Sequence, residues 1–111
     1  MVDTPDFLPL GSVVIVRGST KKLMVIARGV AIPQEGVLRY YDYGACLYPE
    51  GLLEDRLAYF NHEGVQKVVF RGFENDENEL ILETLRENLA SVSIERGANP
   101  PVAPFAAKDG D

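Results

Sequence analysis

The sequence predicts an α+β domain: a small five-stranded antiparallel body, either an SH3-like barrel or a bent sheet, followed by one C-terminal helix. Three observations carry this. Five short runs rich in β-branched and aromatic residues lie between glycine-bearing turns over residues 12–71. The hydrophobic period then changes from strand-like to helical near residue 77. From Ala98 onward the chain is rich in proline, alanine and charge, a composition that cannot build a core. At 111 residues the chain is one domain's worth.

The elements follow in order. Residues 1–6 read as a flexible N-terminus, and Phe7-Leu8-Pro9-Leu10-Gly11 as a turn leading into the body. Ser12–Arg17 is short, β-branched and flanked by glycines, which predicts a strand. Gly18-Ser19-Thr20-Lys21 is a turn signal, and Leu23–Ala27 a second strand that pairs with the first as a hairpin. Both runs are apolar at nearly every position, which predicts burial on both faces. Gly29–Gly36, with Pro33, reads as a loop. Val37–Tyr43 is an aromatic-rich strand continuing through Tyr48, with Gly44 as a bend or bulge. Leu57–Phe60 is a short fourth strand, Asn61–Gly64 a tight turn, and Gln66–Arg71 a fifth strand stopped by Gly72. The preferred topology is the barrel; a meander with one helix across it is the alternative.

Ile81, Leu85, Leu89 and Val92 fall at helical spacing, with Leu82 widening the stripe. Asp76 and Glu79 have the spacing of a capping box. Together these predict a helix over about residues 77–94, stopped by Gly97. The single domain spans 7–96, and 97–111 is expected to be a disordered Pro/Ala-rich tail.

Charge and cysteine content narrow the function classes. Seventeen acidic residues outweigh eleven basic ones, for a net charge of −6. That disfavours a phosphate-backbone binder, which needs a basic footprint, and suits a cytosolic protein that stays soluble, or one that docks on a basic partner. Cys46 is the only cysteine and His62 the only histidine, so neither an intrachain disulfide nor a Cys/His zinc site is expected. Neither a metal nor a cofactor is implied. The start lacks a basic, apolar export signal and no apolar run reaches membrane-spanning length, so a cytoplasmic location and no membrane partner are expected.

Candidate sites are few. His62 has the chemistry of a general base near neutral pH, but the sequence places neither a nucleophile nor an orienting carboxylate beside it, and a turn histidine bonded to backbone is the simpler reading. Cys46 sits in an apolar strand without a positive neighbour and reads as a small buried hydrophobe. Asp42, Glu50, Glu54 and Asp55 match no acid–base spacing and read as scattered surface acids. The recurring glycines form neither GxGxxG nor a Walker loop. Tyr40, Tyr41, Tyr43 and Tyr48 are the one unusual concentration. Tyr41 and Tyr43 are expected on one strand face and Tyr40 on the other. They are the candidate partner-binding residues, since tyrosine is enriched at interface hot spots. The competing role is to complete a core that has no tryptophan. The catalytic expectation is that the protein is not an enzyme.

Four runs together carry a family resemblance: Leu8–Val14, Lys21–Gly29, Tyr41–Gly51 (YDYGACLYPEG), and Phe60-Asn61-His62-Glu63 leading into Val68–Phe73. Over residues 7–74 the chain resembles the bacterial domain-of-unknown-function family numbered 4176. Members of that family are typically encoded in Gram-positive bacteria among genes for type VII secretion and its LXG-type toxins. The resemblance therefore implies a cytoplasmic chaperone or targeting adaptor that binds a secreted toxin or a small helical secretion protein. An immunity protein that neutralises a cognate toxin is the alternative, and a small enzyme using His62 the third. Tyr59–Glu63 also fits YxxxE, close to the export signal of type VII substrates. That signal follows a helical hairpin, whereas here it falls at a strand-to-turn junction, so we read it as coincidence.

Overall fold

A computed structural model describes residues 6–91 and 95–96. Six strands and one helix run in the order β1 (Val13–Val16), β2 (Lys22–Gln34), β3 (Val37–Tyr48), β4 (Ala58–Phe60), β5 (Val65–Phe70), α1 (Asp76–Ser91) and β6 (Glu95–Arg96). A single turn of 3-10 helix, His62–Gly64, links β4 to β5. The sheet order is β4-β3-β2-β1-β5, antiparallel throughout. The two-residue β6 adds a parallel rung beside Arg39 and Tyr40 of β3.

The sheet is open. β4 and β5 form its two edges and do not pair with each other, which corrects the barrel form of the expectation and leaves the bent sheet. The bend has a simple cause. Only Asn61–Gly64 separates β4 from β5; the five steps from Phe60 to Val65 reach at most about 18 Å when extended, and less here because His62–Gly64 coil into a 3-10 turn. Five flat strands are about 19 Å wide, so the sheet curls until its edges approach.

The predicted loop at Gly29–Gly36 is mostly strand. β2 runs unbroken to Gln34 and pairs with β3 from Lys22↔Tyr48 to Gln34↔Val37. The turn is Glu35-Gly36 alone, with φ of 52° and 81°. Two consecutive left-handed residues make the type I′ turn that suits a tight hairpin. In the sequence, Gly29 and Pro33 carry the local signature of a loop. Gly29 instead adopts φ 63° within the strand, where an added Cβ would lie 2.6 Å from Leu85 Cδ2 of α1. The bulge expected at Gly44 lies across from it, where β2 carries the extra residue Ile26 between Val25 and Ala27. Gly44 serves close approach, since a Cβ there would touch Ala27 Cβ and the Tyr59 ring, both at 3.4 Å.

The helix begins one residue before the predicted start. Its cap is Asn75, whose Oδ1 accepts the Asn78 N–H at 3.0 Å, rather than Asp76. Its buried face is Leu82 and Leu89, with Leu85 packed against the cluster. Ile81 is 51 % exposed and leaves the predicted stripe; Leu82, Leu85 and Leu89 hold the i, i+3, i+7 spacing themselves. Val92, and the tail 97–111, lie outside the described residues, as do residues 1–5.

One core cluster unites the elements: Phe7 and Leu8, Val14 and Val16 of β1, Leu23 and Val25 of β2, Tyr40, Tyr43 and Ala45 of β3, Ala58 and Phe60 of β4, and Leu82 and Leu89 of α1. Arg28 fastens two of these layers together. Its Nη1 donates to the Leu8 carbonyl at 3.3 Å and to Asn78 Oδ1 at 2.8 Å. Burial lowers the guanidinium pKa from its ordinary value.

Candidate protein-binding face

The tyrosine-rich strand turns inward. Tyr40, Tyr41 and Tyr43 are buried, so among the four candidates only Tyr48, 45 % exposed, meets solvent. The proposed partner surface at Tyr40, Tyr41 and Tyr43 is thus corrected to core, because a sheet without tryptophan fills its centre with these rings. Tyr43 lies tilted against Phe60, with ring centroids 5.4 Å apart, and meets Phe7 edge-on. Tyr41 and Tyr43 do not share surroundings as strict alternation predicts. Tyr41 packs against Tyr59 and donates to Gln34 Oε1 at 3.0 Å, while Tyr40 joins Tyr43 in the main cluster. The bulge at Ile26 and the left-handed Gly29 distort the ladder opposite these residues.

His62 is held by the same strand. Its Nδ1 lies 2.7 Å from the Tyr43 hydroxyl, which also accepts the Leu8 N–H at 2.9 Å. The Asp42 carboxylate holds the histidine's backbone: Asp42 Oδ2 accepts the backbone N–H of His62 at 2.8 Å. Asn61 Oδ1 in turn accepts the Asp42 N–H at 3.0 Å. The network clamps the β4–β5 turn onto β3 and the N-terminal segment onto both. Burial pushes the Tyr43 phenol pKa upward. Of the four acids considered for acid–base work, Asp42 is fully buried, Glu50 bonds Lys21 at 3.0 Å, and Glu54 lies near Arg56 at 3.7 Å; Asp55 is exposed. The fold does not bring them together around His62. Cys46 is buried and free. Among the described residues, no group of three or more His, Cys, Asp or Glu side chains is placed to hold a metal. No described helix is long and apolar enough to cross a membrane.

The feature with binding chemistry is the outer side of the sheet. Val14, Val16, Leu23 and Val25 point into the core. Alternation sends Val13, Ile15, Lys22 and Met24 to the other side. There the registers Phe70↔Val13 and Val13↔Met24 make one apolar row across three strands. Tyr48 stands opposite Lys22, and Lys67 opposite Ile15, on the neighbouring rungs. An open groove of about 510 Å³ is lined by Gly11, Val13, Lys22, Met24, Tyr48, Val69 and Phe70. Phe70 is 60 % exposed, and Val68 and Val69 are also exposed. Sequence reasoning named only Tyr48 of this set. The signal for the rest was present in the unbroken apolar runs of β1 and β2, which demanded cover on both faces.

The family model described as a domain of unknown function, DUF4176, matches residues 7–81. No curated protein and no solved structure matches the chain.

Proposed function

The chain belongs to the DUF4176 family, and from that premise we propose that it is a non-enzymatic protein-binding accessory, a chaperone or targeting adaptor acting in the cytoplasm on an LXG-type toxin bound for type VII secretion. One observation carries the binding half of this reading: the apolar outer face, where Tyr48, Val69 and Phe70 are exposed around Met24 and the buried Val13. Solvent-exposed rings and branched side chains in one patch are a typical interaction surface. The secretion context comes from the family resemblance. His62 supports the non-enzymatic half, since its ring Nδ1 is taken up by the buried Tyr43 phenol.

A second reading has its own support. Helix α1 carries Asp76, Glu77, Glu79, Glu83 and Glu87 at its surface, a charge distribution that suits an immunity protein against a basic nuclease toxin. Co-expression with toxin fragments separates the two. Co-purification with the toxin's N-terminal targeting region, or with a small helical secretion protein, is the expected result. Rescue of growth from the isolated toxin domain points to immunity instead. Failure to bind any of these at micromolar concentration overturns both.

A further inference from the structure

We infer that the outer face of the sheet receives the apolar side of an acidic amphipathic helix from another protein; this rests on the protein-binding reading above. β1 and the Leu23–Ala27 stretch of β2 are apolar on both sides, the pattern of strands covered on both faces. Among the described residues, α1 covers one side only, through Leu82, Leu85 and Leu89. The other side keeps Phe70 60 % exposed and Tyr48 45 % exposed. A sheet of this kind is completed by a second layer, and a helix about 10 Å across spans the two or three strands that carry the row.

The chemistry of the face selects among occupants. Lys22 lines the groove, and Lys67 stands on the next rung opposite Ile15. Neither lysine forms an ion pair among the described residues. An occupant with carboxylates flanking its apolar side meets both. A strand added at the β5 edge fits less well. β5 carries extra residues at Gln66 and Val69, where its register with β1 shifts, and an edge lysine at Lys67. Bulges and edge lysines are the devices that discourage strand addition. A second copy paired symmetrically about Lys67 of β5 would set Lys67 against Lys67, a like-charge contact.

The test uses the full chain and two stapled helical peptides. One has leucines at i, i+3, i+4 and i+7 flanked by glutamates; the other has lysines in place of the glutamates. NMR titration should shift the Val13, Met24 and Phe70 signals with the acidic peptide. Binding of the lysine peptide should be about tenfold weaker, the scale that two exposed ion pairs supply, and the preference should fade with salt. The double variant K22E/K67E should invert the preference, and Phe70→Ser should weaken both peptides. These residues are exposed, so circular dichroism should show both variants folded. Equal binding of the two peptides, or shifts confined to other faces, overturns the inference. So does a Phe70-dependent dimer in sedimentation, or release of the face on truncation after Arg96, which would assign the cover to a second copy or to the chain's own tail. If a secretion partner binds wild type and K22E/K67E/F70S alike, the inference fails while the adaptor reading stands. If no partner binds at all, the adaptor reading fails.

Discussion

At the residue scale, Tyr43 shows what a sequence can and cannot say about a side chain. Its place in an aromatic strand was legible, and so was the choice between core and interface. Its role as a junction was not, because Leu8, Phe60 and His62 reach it from segments far apart in the chain. Tyr43→Phe should cost about 1–3 kcal/mol in urea unfolding, since the buried Leu8 N–H loses its acceptor. The same side chain sets an alkaline limit. Its folded-state pKa is raised by burial, so the neutral phenol is the form that folding favours. The stability it contributes is complete below the ordinary tyrosine range near pH 10 and is lost as pH rises from there toward the folded-state value. The stability gap between wild type and Tyr43→Phe should therefore narrow above pH 10. A gap that stays constant to pH 11 would show that Tyr43 ionises as easily folded as unfolded.

At the element scale, the helix and the β2–β3 hairpin were read unequally. The helix was legible because a 3.6-residue period repeats over four turns, but its phase was ambiguous where Ile81 and Leu82 stand side by side. Tertiary packing chose Leu82. Leu82→Ala should cost about 2–5 kcal/mol, the range for a truncated core leucine, whereas Ile81→Ala should stay within about 0.5 kcal/mol. Equal costs would mean that the helix docks with the other phase. Asn75→Ala should remove about 1 kcal/mol by uncapping the same helix, measured by thermal melts. The second half of β2 was illegible for a different reason. Gly29 and Pro33 carry the local signature of a loop, and only the partner strand overrides it by supplying the ladder from Val30↔Tyr41 to Gln34↔Val37.

At the scale of the whole molecule, the open sheet and the side that no described element covers are one fact seen twice. The four-residue link between β4 and β5 bends the sheet, while the missing β4–β5 pairing leaves β5 at an edge. Val68, Val69 and Phe70 then remain exposed although their sequence is that of a buried strand. The apolar pattern reads as burial on both faces, in a small barrel or in a sheet covered by other elements, because a single chain gives no separate signal for a face reserved for something else. The candidate surface was accordingly sought among tyrosines, whose enrichment is statistical, instead of among the aliphatic runs, whose need for cover is physical. A surface patch of this kind has a signature that does not require the partner. An apolar dye such as ANS should bind the native protein at neutral pH, and Phe70→Ser should remove most of that fluorescence. The melting temperature should hardly move, because an exposed ring contributes little to folding, within about 0.5 kcal/mol. A large loss of stability in Phe70→Ser would instead make this ring part of the fold, and the outer face would no longer be a surface set aside for binding.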